Sequence, residues 1–103
     1  MYVEVSADGA RVRDPETLTS LSVRAAAGLD TSSLARALAA LGHIEGEHAW
    51  LAIDALRRAA GAEVPAAARP GWESGFDGMI AYAASKGWVA DGAVRAHLEL
   101  LSG

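Results

Sequence analysis

The segment GWVADGAVRAHLEL, residues 87–100, decides the fold class that we predict. Its second half alternates small or apolar residues with Arg95, His97 and Glu99, which is the pattern of a strand with one buried face. The Asp-Gly pair before it is typical of a tight hairpin turn, because such a turn needs positive φ. The segment therefore predicts a hairpin over 88–100 whose apolar face must be covered.

The residues just before this hairpin predict a helix that supplies the cover. In WESGFDGMIAYAASK, residues 72–86, an apolar stripe at helical spacing includes Trp72, Phe76 and Met79. Gly87 follows as a left-handed helix end. A helix next to a hairpin indicates an α+β domain.

The N-terminal segment repeats the turn letters ADGA and predicts a second hairpin, with strands 2–6 and 10–13. The run TLTSLSVRA, residues 17–25, predicts a third strand, with a short helix as the alternative. We thus expect a small, single two-layer α+β domain over residues 1–103. It would have antiparallel hairpins near both termini and helices packed on one face.

The middle of the chain predicts a helix over 31–41. Asp30 is placed to accept from the free N–H groups of the first turn. Leucines share one helical face, and Gly42 would supply the left-handed end. These leucines are Leu34, Leu38 and Leu41.

The next stretch predicts a strand followed by a short helix. AWLAI, residues 49–53, is apolar, and Asp54 after it would cap a helix over 55–60 that ends at Gly61. One continuous helix is the alternative. Residues 62–71, with two prolines, predict a surface connection.

Composition and charge exclude several kinds of function. The chain has no cysteine, hence no disulfide and no thiol nucleophile. The net charge is −4 and the bases form no run, which argues against nucleic-acid binding. A winged helix over 72–100 is the remaining nucleic-acid alternative, but Glu73 and Asp77 would repel phosphate. No phosphate-binding glycine loop occurs, so we predict no cofactor.

The prediction of cellular location depends on the absence of targeting and membrane-spanning segments. The chain lacks a signal peptide pattern and any run long enough to span a membrane, so we predict no membrane association and a cytoplasmic location. Arginine far outnumbers lysine, and alanine and glycine are abundant. This composition is typical of a GC-rich bacterial genome.

The densest polar cluster is GHIEGEH, which contains His43, Glu45, Glu47 and His48. These residue types bind zinc or iron, and the spacing of Glu45 and His48 is half of a di-iron motif. No second half occurs, and the glycine inside the cluster disfavours a helix. We therefore interpret the cluster as a solvated loop and predict no metal site.

Two histidines are the candidates for acid–base chemistry. His97 shares the polar face of its strand with Arg95 and Glu99, an arrangement that suits a general base with an orienting carboxylate and an arginine that holds an anion. His48 is the second candidate. The exposed face of an edge hairpin produces the same pattern, and we favour this structural interpretation.

Two glycines inside the predicted helix indicate a binding surface. Gly71, Gly75, Gly78 and Tyr82 form a stripe at helical spacing, although an interior glycine costs about 1 kcal/mol relative to alanine. A groove flanked by Tyr82 and Trp72 could receive a ligand or a partner helix. The alternative, which we favour, is close packing against a strand of the same chain or a helix that begins later, near Asp77.

Two functional hypotheses follow. The first is a binding or accessory module that acts through protein contact, with a protein partner or by self-association as a homodimer. The second is a small cofactor-free enzyme or small-molecule-binding protein with a pocket beside helix 72–86. The first leads because the polar residues do not converge along the chain on any reaction.

Overall fold

The computed structural model describes residues 1–100; residues 101–103, the end of the predicted domain, lie outside the described residues. The strands are β1 Tyr2–Ser6, β2 Gly9–Arg13, β3 Ser22–Ala25, β4 Gly42–Glu45, β5 His48–Ala52, β6 Val89–Ala90 and β7 Ala93–Leu100. The helices are α1 Thr31–Leu38, α2 Ile53–Glu63 and α3 Trp72–Ser85, with a short 3-10 turn at Ala66–Ala68.

All seven strands belong to one mixed sheet. Its order is β2-β1-β3-β7-β5-β4, with β6 added on β7. The β1–β3 and β3–β7 pairs are parallel and the others are antiparallel. Helix α1 contacts β2 and β4, which lie at opposite ends of this order, so the sheet is curled. The α+β class holds in this coarse form. Antiparallel β1–β2 and β6–β7 pairs lie in the two segments for which hairpins were predicted, while the two-layer arrangement stays a prediction.

The core follows from the two periodicities in the sequence. In the strands, alternate residues such as Val3, Val23 and Val94 are buried, and in the helices Leu38 and Phe76 are fully buried. Burying a side chain of this size stabilises a fold by about 1.5–3 kcal/mol. This core holds the helices against the curled sheet.

Helix α1 begins as predicted and ends early. The Ser33 N–H donates to Asp30 Oδ1 at 2.7 Å, which confirms the cap, but the helix ends at Leu38 rather than at residue 41. The predicted role of Gly42 is wrong, because Gly42 belongs to β4. A Cβ atom there would overlap the Trp50 carbonyl oxygen of β5, so glycine permits the close approach of these strands.

The GHIEGEH cluster is a β-hairpin, and the predicted loop is wrong. Residues of β4 and β5 pair antiparallel, with Glu45 opposite His48, and Gly46 has a φ of 62° in the turn. Ile44 packs against the core while His43 is exposed. The cluster thus alternates as a half-buried strand does.

Helix α2 differs from its predicted bounds at both ends. It begins directly after β5, so Asp54 lies in the first turn instead of capping it. Gly61 lies inside the helix, which continues to Glu63. A Cβ atom on Gly61 would lie 3.6 Å from the ring of Trp72, so this glycine faces the indole rather than ending the helix.

The segment 17–25 contains a strand only in its last four residues, β3. The residues from Leu18 to Leu21 form a loop before it. At the other end of the chain, α3 runs from Trp72 to Ser85 and Gly87, with a φ of 80°, follows it as predicted. Within residues 1–100, no helix has the length and apolar character needed to cross a membrane.

Candidate functional site

A cavity of about 580 Å³ lies beside α3. Its walls come from the loop that precedes β3, from one side of α3, from Trp88 before β6, and from β7 and β5. Residues from distant parts of the chain therefore meet here, and we take this cavity as the candidate site.

The sheet topology explains where the cavity lies. Strand β5 covers one edge of β7 from Ala93 to His97, so β6 and β3 must share the other edge. On that edge β6 pairs with β7 up to Val94 and β3 begins at His97. Trp88 and Leu21, which directly precede β6 and β3, both line the cavity. The cavity thus lies at the junction between two strands that follow each other along one edge.

The two interior glycines of α3 have different surroundings. A Cβ atom on Gly75 would lie 2.6 Å from Leu18 Cδ1, so this glycine makes room for the chain's own loop. A Cβ atom on Gly78 would have no heavy atom within 4 Å, and Gly78 lines the cavity. Close packing within the chain therefore accounts for Gly75, and open space lies next to Gly78.

Long-range hydrogen bonds hold the loop that brings Leu18 to α3. The Trp72 indole Nε1–H donates to the Pro15 carbonyl at 2.7 Å. The amino group of Met1 donates to the Thr17 carbonyl at 2.7 Å. Burial of that amino group lowers its pKa, because burial disfavours the charged form. The loop wall of the cavity is thus tied to both the N-terminus and α3.

An aromatic pair stands at the rim of the cavity. Tyr82 is 60% exposed, and its ring meets the half-buried Trp88 edge to face, with centroids 6.3 Å apart. The Nζ atom of Lys86 lies 5.5 Å from the centroid of Tyr82, within the range of a cation–π contact. These rings supply flat apolar surface next to solvent.

The sheet side of the cavity is polar and basic. His48 of β5 lies directly opposite His97 of β7, and their ring centroids are 6.1 Å apart. Arg95 precedes His97 by two residues and lies on the same face of the strand. Within residues 1–100, Arg95 has no carboxylate within ion-pair distance.

The structure brings together most of the residues that the sequence proposed separately. Gly75, Gly78, Tyr82, His48 and His97 all line the cavity. Along the sequence the two histidines are independent candidates, and only the register between β5 and β7 makes them neighbours. Residues that the sequence did not propose as binding residues also line the cavity, and these include Leu18, Leu21 and Met79.

Trp72 lies outside this cavity, although the sequence placed it at the edge of the groove. Its side chain is only 7% exposed and packs on Phe76, with ring centroids 5.4 Å apart. Its indole N–H is used in the hydrogen bond to Pro15. Packing therefore accounts for the position of Trp72, and the flat face of its ring is not available to this cavity.

The carboxylate expected beside His97 is occupied elsewhere. Glu99 Oε2 lies 3.2 Å from Arg24 Nε, across the β3–β7 pair. The guanidinium of Arg24 also stacks on the Tyr2 ring at 4.0 Å. The structure thus places Glu99 in an ion pair rather than next to the imidazole of His97.

The four metal-ligand candidates lie on the β4–β5 hairpin. His43 Nε2 is 3.9 Å from Glu45 Oε2, His48 is opposite Glu45 in the register, and Glu47 lies in the turn. In the part of the chain from 1 to 100, no three His, Asp or Glu side chains are grouped closely enough to hold one ion. The hairpin therefore carries these residues as a polar edge.

A second cleft, of about 450 Å³, lies between α2 and the start of α3. Three arginines line it together with Glu73, but Arg57 forms an ion pair of 2.6 Å with Asp77, and Arg69 donates to a backbone carbonyl. Because its charges are partly compensated, this cleft is a weaker candidate than the cavity beside α3.

Comparisons of the chain with protein-family models, with curated proteins and with solved structures found no match. The functional interpretation therefore depends on the residues and the geometry described above.

Proposed function

We propose that this domain binds a small organic molecule in the cavity beside α3. The observation that carries the proposal is the open space of about 580 Å³ next to Gly78, at a helix position where alanine would be more stable. Ligand pockets commonly enclose about 300–1,000 Å³ and combine an apolar lining with a few polar groups. Both features are present here.

The proposal is for binding rather than for a reaction. His48 and His97 line the cavity and would be the groups available for proton transfer. In the described chain, the side-chain hydrogen bonds and ion pairs include no carboxylate partner for either ring. An enzyme that uses an imidazole as its base commonly orients it through such a partner, so the geometry favours binding.

Protein contact is the second candidate function, and one observation favours it. Tyr82 is 60% exposed next to Trp88, and exposed aromatic residues often anchor protein interfaces. If this rim contacts a second copy, Gly78→Leu should abolish the dimer in sedimentation experiments. A strict monomer in the unmodified protein would remove the self-association version of this hypothesis.

The proposal of a small-molecule site is tested with phenylnaphthylamine, an uncharged dye that fluoresces in apolar surroundings. We expect saturable binding to the unmodified protein. Gly78→Leu should weaken it by about tenfold or more, because the new side chain extends into the cavity. Circular dichroism checks that the variant remains folded.

The matched control is Ala84→Leu, which places the same side chain on an exposed position of the same helix outside the cavity. This variant should bind the dye as the unmodified protein does. Equal binding by all three proteins, or no saturable binding by the unmodified protein, would overturn the proposal.

A further inference from the structure

The charged residues around the cavity indicate which chemical class of ligand it accepts. Arg95, His48 and His97 form its sheet side, and no Asp or Glu of the described chain lines it. The whole protein carries a net charge of −4, so the guanidinium of Arg95 is opposite in sign to the protein as a whole. A ligand with a negative group would be favoured at this wall.

The carboxylate nearest to this wall on β7 already has a partner, because Glu99, two residues after His97, pairs with Arg24 at 3.2 Å. Glu45, opposite His48, and Glu47, directly before it, do not line the cavity. Arg95 therefore keeps its guanidinium without an ion-pair partner from the described residues. A guanidinium presents a planar set of N–H donors that matches a carboxylate.

The remaining walls are unsuited to a second charge. The α3 side contributes Gly78 and Met79, and the hairpin contributes Trp88. The loop contributes uncharged residues, which are Leu18, Thr19, Ser20 and Leu21. Removing apolar surface of this kind from water lowers the free energy, so these walls favour the hydrocarbon part of a ligand. The cavity thus has a charged group on its sheet side only, and its other walls are uncharged and mainly apolar.

We propose that the ligand is an apolar organic anion with a single carboxylate or similar group. The anionic group would lie against Arg95, with N–H groups of His48 and His97 as further donors. The aromatic or aliphatic body would lie between Met79, Trp88 and the loop. This inference depends on the proposed function of the cavity and names the class of molecule that it binds.

Two dyes with the same ring system separate the inference from the proposed function. Anilinonaphthalene sulfonate carries one negative group, whereas phenylnaphthylamine carries none. At constant ionic strength, the unmodified protein should bind the sulfonate dye more tightly than the uncharged dye. Arg95→Met should weaken binding of the sulfonate dye by about tenfold relative to binding of the uncharged dye.

Arg36→Met is the matched control, because it removes the same charge from an exposed position of α1 outside the cavity. It should leave the binding of both dyes unchanged. Arg95→Lys keeps the charge but loses the planar donors. Its affinity for the sulfonate dye should lie between those of Arg95→Met and the unmodified protein.

The possible results have separate meanings. If Gly78→Leu blocks both dyes but Arg95→Met has no effect on the sulfonate dye, the anion inference is overturned and the proposed site remains. If Arg36→Met weakens the sulfonate dye as much as Arg95→Met does, net charge is the cause and the inference is overturned. If a folded Arg95→Met variant binds neither dye, the anion inference is also overturned. If the unmodified protein binds neither dye, the proposed function and the inference both fail.

Discussion

Leu18 Cδ1 lies 2.6 Å from the position that a Cβ atom would occupy on Gly75. Leu18 belongs to the loop before β3, so this glycine of α3 makes room for a distant part of the same chain. Gly78, one turn further along the helix, has no heavy atom within 4 Å of the same position. The two glycines of this helix thus have different surroundings. Alanine substitutions at the two positions should therefore change the free energy of unfolding by different amounts.

Gly78→Ala should stabilise the protein by about 1 kcal/mol, because alanine is the better helix former and the space next to it is open. Gly75→Ala should gain less, because the side chain of Leu18 must move to admit the methyl group. Urea denaturation measures both changes in the free energy of unfolding. A gain for Gly75→Ala that equals or exceeds that for Gly78→Ala would contradict this explanation.

Gly42→Ala should destabilise the protein by about 3 kcal/mol, because the new methyl group would overlap the backbone carbonyl of Trp50. A backbone atom in a paired strand cannot move aside as a side chain can. Gly61→Ala is the control, because its methyl group would meet the Trp72 ring at an ordinary contact distance of 3.6 Å. If Gly42→Ala proves no more costly than Gly61→Ala, the close approach of β4 and β5 is not what requires glycine.

Trp72→Phe should destabilise the protein by about 1–2 kcal/mol. The substitution removes the hydrogen bond to the Pro15 carbonyl, which ties α3 to the loop before β3, and also reduces the buried area. Trp88→Phe, at the half-buried rim of the cavity, is the comparison and should cost less. The order of the two melting temperatures decides the question, and the reverse order would argue against an anchoring role for Trp72.

The cap of α1 should give the stability of the protein a pH dependence. The hydrogen bond from the Ser33 N–H lowers the pKa of Asp30 in the folded state. A carboxyl group whose pKa is lower in the folded state stabilises the fold at pH values above its unfolded pKa of about 3.9. This stabilisation is lost as the pH falls through the folded-state pKa. The melting temperature of Asp30→Ala should therefore lie below that of the unmodified protein at neutral pH.

This difference in melting temperature should shrink in acid, as the carboxylate takes up its proton. Asp30→Asn, which keeps an acceptor but does not titrate, should differ from Asp30→Ala by the same amount at every pH. A constant gap between the unmodified protein and Asp30→Ala across the acid range would show that the charge of Asp30 has no part in the cap.

Local sequence signals predicted the features that depend on neighbouring residues. The cap at Asp30, the buried faces of Leu34 and Leu38, and the left-handed Gly87 are all present. The same signals failed for Gly42 and Gly61, which resemble helix ends along the chain. Their actual surroundings are residues of other elements, so a rule based on neighbours in sequence could not identify them.

By itself, the sequence determined periodicity and turn chemistry. The alternation in β7 and the apolar stripe on α3 follow from the positions of the apolar residues. The turns follow from the positions where glycine permits positive φ. Only the tertiary structure decided that His48 lies opposite His97, that Leu18 reaches Gly75, and that a cavity opens beside Gly78. These relationships depend on strand register and on packing between distant elements. Their free energy arises from contacts that do not exist until the chain is folded.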